Sequence, residues 1–199
     1  LTTDEWKIIL KKSWEAGIPH VIFTGGEPTI RPDLTELLQI CEDLGQVTGL
    51  ITNGYRLTEK DYLQNLLSAG LDHILVTFNP ANAQAWESIR DIMPQDVHTT
   101  IHLTLDEKNI SEIATTFSRL QELHVSHLSL TTTKPELHDS LLKIRNLAAE
   151  MGFNLVWNLP VPYSHYNPVA LETQSDFNAH KGAVKGWIYV EPDGDVLPE

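Results

Sequence analysis

The residues best placed to do chemistry stand together early in the chain, in the run Phe23-Thr24-Gly25-Gly26-Glu27-Pro28. Two consecutive glycines permit backbone angles and a close approach that a Cβ forbids. Pro28 stiffens the exit. With a carboxylate following at once, exposed carbonyls and one negative charge converge on one spot, which suits an ammonium group. Four residues recur by chance, so the weight of the motif lies in its placement: Val21-Ile22-Phe23 reads as a strand, and the motif sits at its C-terminal end. Glu27 is expected to face solvent there and to add little to the core.

Other chemistry-bearing residues are more scattered. His98 and His102 fall on one strand face, and His124 and His127 lie close in sequence. No carboxylate pair at ligand spacing accompanies them, so they read as solvated or hydrogen-bonded imidazoles rather than a metal centre. His102 is placed to touch a substrate. Residues 160–168 carry Tyr163, Ser164, His165 and Tyr166 between prolines. They read as a connector over a strand-end mouth, with Tyr163 and His165 as candidate substrate contacts. Cys41 falls on an apolar helix stripe and reads as a buried hydrophobe. No Ser/His/Asp triad, phosphate loop or zinc motif is present.

The elements that must position these groups alternate along the chain. Strand-like runs begin near Val21, Thr48, Ile74, Thr99, Ser126 and Asn154, 25 to 28 residues apart. That is the cadence of successive β/α units. Thr2 to Glu5 reads as a capping box opening a helix with the stripe Trp6, Ile9, Leu10 and Trp14. Asp33 is expected to cap the next helix and Thr58 a third, which stops near Gly70. Ser111 and Pro135 are expected to open two later helices, and residues 81–92 a weaker one. Residues 187–197 read as a β-hairpin turning at Pro192-Asp193-Gly194.

Strand side chains alternate between faces. Over 99–105 the two sets are Ile101, Leu103 and Leu105 against Thr100, His102 and Thr104. Over 127–133 they are Leu128 and Leu130 against Ser129, Thr131 and Thr133. Ile74, Val76 and Phe78 oppose Leu75, Thr77 and Asn79, and Leu155, Trp157 and Leu159 oppose Val156 and Asn158. The apolar sets belong against helices. The polar sets then line the interior of an open barrel, with Thr104 beside His102 as a second candidate substrate contact.

Composition narrows the partners. The 199 residues carry 14 Lys and Arg against 27 Asp and Glu, a formal charge of −13. So acidic a chain is not built to neutralise nucleic-acid phosphates. No apolar run approaches the ~18–20 residues of a membrane span. One cysteine excludes a disulfide framework and fits a cytoplasmic setting. The acidic excess, spread over outer helix faces, serves solubility. Leu1 stands directly before a helix start, so the chain reads as an internal piece of something longer.

The run from Val21 to Asp33, with Gly25-Gly26-Glu27-Pro28 at its centre, resembles the signature of radical S-adenosylmethionine (SAM) enzymes. The likeness continues through Ile51-Thr52-Asn53-Gly54, Gly70-Leu71-Asp72-His73 and Thr77-Phe78-Asn79. It implies a partial (β/α)6 barrel of parallel strands, an α/β fold, here truncated before its first strand. It implies reductive cleavage of SAM to a 5′-deoxyadenosyl radical for hydrogen abstraction from a peptide or small-molecule substrate, with an electron donor protein as partner. Gly25, Gly26, Glu27 and Pro28 would grip the amino group of SAM, and Thr52, Asn53, Thr77 and Asn79 its carboxylate or ribose. The cysteines for the 4Fe–4S cluster would lie upstream of Thr2. Residues 187–198 are similar to the opening hairpin of a SPASM or twitch extension, giving a division into a core over 1–180 and an extension from 181 to 199. Glu199 stands where that extension carries Cys, so an auxiliary cluster of that type is not expected. The competing reading is a non-catalytic binding or scaffold protein, or a different enzyme, on the same barrel. Closely spaced cysteines upstream would discriminate between them.

Overall fold

The computed structural model describes residues 1–132, 134–156 and 188–198. Six parallel strands lie in sequence order in one open sheet: β1 (His20–Phe23), β2 (Val47–Thr52), β3 (His73–Thr77), β4 (His98–Leu105), β5 (His127–Thr132) and β6 (Asn154–Leu155). Each joins the next through a helix: α2 (Leu34–Leu44), α3 (Lys60–Ser68), α4 (Ala83–Ile92), α5 (Ile113–Glu122) and α6 (His138–Glu150); α1 (Thr3–Glu15) precedes β1. All six strands fall where the apolar runs place them. Among the described residues the sheet is not closed. A separate antiparallel hairpin, β7 (Ile188–Val190) and β8 (Val196–Pro198), follows.

One core lies between the sheet and the helices. Ile74, Val76, Ile101, Leu103, Leu105, Leu128 and Leu130 pack there against Leu34, Leu37, Leu38, Cys41, Ile89, Phe117 and Leu120. Every strand set assigned to the helices is found on them, as far as the described residues reach; Thr133, Trp157, Asn158, Leu159 and Trp187 lie outside these. Ile22, Ile51 and Leu75 form a second, small apolar cluster on the opposite, interior face.

Helix starts differ from the sequence expectation more than strands do. The capping box at α1 forms, with the Thr2 hydroxyl accepting from Glu5 N and the Glu5 carboxylate accepting from Thr2 N. Asp33 occupies the N-cap position of α2 but makes no capping bond. It accepts from the Arg31 guanidinium at 2.9 and 2.7 Å and from Thr3 Oγ1 at 2.7 Å, tying the start of α2 to α1. The Arg31 hydrogen bonds outweigh desolvation and hold its carboxyl below the usual range. Thr58 does not cap α3, because its hydroxyl donates to Tyr55 O inside a preceding 3-10 turn. The expected starts at Ser111 and Pro135 are likewise 3-10 turns leading into α5 and α6. For α4, the cap is Asn82, whose Oδ1 accepts from Gln84 N at 2.9 Å.

Candidate functional site

Parallel β/α units bring the C-terminal ends of all strands to one edge, where binding residues collect. Gly25 leaves β1 at φ +124°, an angle that side chains rarely adopt, and a Cβ built on Gly25 or Gly26 would meet nothing within 4 Å. The space over both glycines is open. Beside them, the carboxylate of Glu27 is half-buried and fully engaged. Its Oε1 accepts from Thr29 N at 3.0 Å, Thr29 Oγ1 at 2.6 Å and Thr52 Oγ1 at 2.7 Å; its Oε2 accepts from Asn53 N at 2.8 Å. The expectation of a solvent-facing carboxylate with little structural weight is therefore wrong. Glu27 fastens the loop after β1 to the end of β2.

That strut is itself braced. Thr52 Oγ1 accepts from Gly54 N at 3.1 Å while donating to Glu27, and Asn53 Oδ1 accepts from Tyr55 N at 2.9 Å. Thr29 O accepts from the Arg56 guanidinium and from Tyr62 OH, and the Arg56 guanidinium lies 4.0 Å from the Tyr62 ring centre. Thr77 Oγ1 donates to Thr52 O at 3.2 Å, joining β3 to the same group. The structure thus gathers Gly25, Gly26, Glu27, Pro28, Thr52, Asn53 and Thr77. Asn79 stands farther out: exposed, with Oδ1 accepting from Ala81 N, it borders an outer groove shared with Trp86 and Arg119. Sequence reasoning missed Thr24. Its Oγ1 is buried without a hydrogen-bond partner among the described residues, next to the open glycines.

The interior face of β4 and β5 continues the site. His102, 1% exposed, places Nδ1 3.0 Å from Ser129 Oγ and Nε2 3.3 Å from Thr131 Oγ1, with Thr104 Oγ1 at 3.5 Å. His102 is therefore a fully buried imidazole in a hydroxyl cluster, and Thr104, half-buried, lies on the same face. Tyr163 and His165 lie outside the described residues.

At the opposite end of the strands, the interior face carries a row of imidazoles that the sequence reading did not assemble. His20 and His73 place their Nε2 atoms 3.2 Å apart, and the rings of His98 and His127 lie 4.6 Å apart. Burial, followed by the neighbouring His20, pushes His73 down to about 4. Burial also lowers His20 and His127.

An open parallel α/β barrel with a glycine-lined, carboxylate-braced mouth defines the class of protein. Comparison with known proteins gives the particular family. The radical SAM superfamily profile matches residues 1–103, and the chain belongs to that superfamily. The PqqA peptide cyclase of Gluconobacter oxydans (strain 621H) is 30% identical over 234 residues, covering 100% of this chain and 61% of that protein. The PqqA peptide cyclase of Bradyrhizobium diazoefficiens is 47% identical over 78 residues, covering 39% of this chain and 20% of that protein. This chain thus spans at most about three-fifths of these curated relatives. Among solved structures, Streptococcus suis SuiB bound to S-adenosylmethionine superposes with a TM-score of 0.63 at 16% identity, over 82% of this chain and 46% of that one. At that identity the likeness shows the fold.

Membership implies two cofactors, SAM and a 4Fe–4S cluster. The residues present fit SAM: open space over Gly25 and Gly26, a braced carboxylate, and an orphaned buried hydroxyl at Thr24. They do not fit the cluster. The single cysteine, Cys41, is fully buried on α2, and burial pushes its thiol up to about 12, the opposite of what a thiolate ligand needs.

Proposed function

We propose that this chain is the SAM-binding core of a radical enzyme acting on a peptide. Bound SAM supplies a 5′-deoxyadenosyl radical on reductive cleavage, and the protein's part is to bind, orient and exclude water. Gly25 and Gly26 offer backbone close to the amino group, Glu27 and Pro28 set that backbone's path, and Thr52, Asn53, Thr77 and Asn79 lie toward the carboxylate and ribose. Thr24 joins them as a hydroxyl awaiting a partner. Thr104, half-buried, would face substrate with the buried His102 behind it as a positioning group, and Tyr163 and His165 are proposed as further substrate contacts. The peptide substrate rests on the two cyclases named above. We also propose a core over 1–180, a SPASM-like extension from 181 to 199, a cytoplasmic setting and an electron donor protein as partner. Among the described residues no helix is long and apolar enough to cross a membrane.

The observation that carries the reading is the Glu27 network, which holds two glycines open at the strand ends within a superfamily-matched segment. Isothermal calorimetry of SAM on the full-length protein tests it. Gly26→Val fills the open space and should weaken SAM binding on the order of tenfold or more, with the unfolding midpoint little changed because Gly26 is exposed. Unaltered affinity in that variant would refute the assignment.

A further inference from the structure

The row of imidazoles lies at the end of the sheet away from the glycines, and nothing in the SAM reading uses it. Its centre is built across three strands. His20 on β1 and His73 on β3 are separated by β2, and adjacent strands lie ~4.8 Å apart. The residue between them is Gly49, paired with His73 in the β2–β3 register and with Ile22 in the β1–β2 register. A Cβ on Gly49 would lie 2.1 Å from His73 Nε2. The glycine is what lets the two imidazoles meet over β2, Nε2 to Nε2, at 3.2 Å.

We propose that His20 and His73 form a two-histidine chelating site for a divalent transition ion of the Zn²⁺, Co²⁺, Ni²⁺ or Cu²⁺ class. Two Zn–N bonds of ~2.0–2.1 Å meeting at a tetrahedral angle put their nitrogens about 3.3–3.4 Å apart. The observed separation lies within ~0.2 Å of that bite. Imidazole nitrogen selects these borderline ions over Mg²⁺ and Ca²⁺, which take oxygen. Without metal, one Nε2 carries a hydrogen and donates to the other. On binding, that ring moves its proton to Nδ1, two waters leave the ion, and no net proton is released at neutral pH. Among the described residues no three His, Cys, Asp or Glu converge as a metal-binding group, so the other coordination positions go to water. The charged and titratable neighbours are Asp72, whose Oδ2 accepts from Thr48 N, and His98, the register partner of His73. A bound ion would cross-link β1 to β3 at the end of the barrel opposite the SAM site.

Calorimetric titration of the purified full-length protein with ZnCl₂ tests this, alongside thermal unfolding with and without Zn²⁺. The expected result is a component of one Zn²⁺ per chain that raises the unfolding midpoint. His20→Gln keeps a hydrogen-bond partner for His73 but removes a ligand, and should weaken that component on the order of tenfold or more. His73→Ala and Gly49→Ala should do the same, the latter by displacing the His73 ring with both imidazoles still present. Exposed His138→Ala should change nothing. Zn²⁺ binding that survives His20→Gln, or the absence of any component shared by His20 and His73, overturns the site whether or not the more buried variants fold.

Discussion

Replacing Glu27 should damage the fold before it damages anything else. The carboxylate accepts four hydrogen bonds, three of them from Thr29 and Thr52, which are 1% and 2% exposed. In Glu27→Ala water does not reach those two residues freely, and each donor left unpaired costs about 1–3 kcal/mol. The hydroxyls can rotate toward other acceptors, whereas the backbone N–H groups of Thr29 and Asn53 cannot. With two donors stranded, the loss is about 2–6 kcal/mol, a large part of the ~5–15 kcal/mol by which such domains are stable. Glu27→Gln is the discriminating variant. Its Oε1 can keep Thr29 and Thr52, but its amide NH₂ then faces Asn53 N, donor against donor, for a loss of about 1–3 kcal/mol. Urea unfolding of the two variants at unchanged slope measures both. A loss under about 1 kcal/mol in Glu27→Ala, or equal losses in Ala and Gln, would show that the carboxylate is hydrated in solution and the strut is not formed.

The strand faces make a paired test. Leu103 is completely buried against the helices, so Leu103→Ala should cost about 2–5 kcal/mol, whereas Thr104→Val, half-buried with its hydroxyl 3.5 Å from His102 Nε2, should cost under about 1 kcal/mol; thermal denaturation showing the reverse order would mean the strand register is wrong. His73 supplies a pH dependence. Its folded value of about 4 lies below the ordinary 6.5, so between those values the unfolded chain binds the extra proton. Stability is therefore complete above about pH 6.5 and falls as pH drops toward 4. The midpoint of His73→Gln should vary less over that window, and equal slopes would refute the buried neutral imidazole. Gly54→Ala should destabilise, because φ is +78° and the new Cβ would meet Ser88 Oγ at 2.8 Å; an unchanged unfolding midpoint would show that the turn re-forms around it.

Strands and their faces were legible because each rests on a local rule. Period-two alternation over 99–105 separates Leu103 from Thr104 without knowledge of any neighbour, and the 25-to-28-residue cadence places all six strands. What escaped depends on contacts between units. Asp33 looks like a cap until Arg31 and Thr3 take its carboxylate. Glu27 looks solvent-facing until Thr52 and Asn53, 25 and 26 residues on, arrive as donors. The imidazole row is the clearest case. His73 and His98 were visible as residues, but their alignment follows from sheet register, and the role of Gly49 follows from which strand lies between His20 and His73. A signal was present: His stands at or near the start of four strand-like runs, at His20, His73, His98 and His127. Parallel strands in near register turn equal offsets into neighbours.

The two ends of the interior follow from one constraint, that an open sheet exposes its inner face. A closed barrel fills that face with branched apolar side chains. Among the described residues only Ile22, Ile51 and Leu75 do so, as a thin layer midway along β1 to β3. Above that layer, polar groups left buried must find partners within the sheet or in a ligand. The His102 cluster finds them in Ser129, Thr131 and Thr104, whereas Thr24 does not, which marks the β1 side as the place a ligand completes. Below the layer stand imidazoles: His20 and His73 meet Nε2 to Nε2, and the rings of His98 and His127 pack against each other. The apolar layer separates the two polar zones, so metal at His20 and His73 should leave SAM affinity unchanged. Coupling between the two ligands in a joint titration would mean that the layer is not the insulator its packing describes.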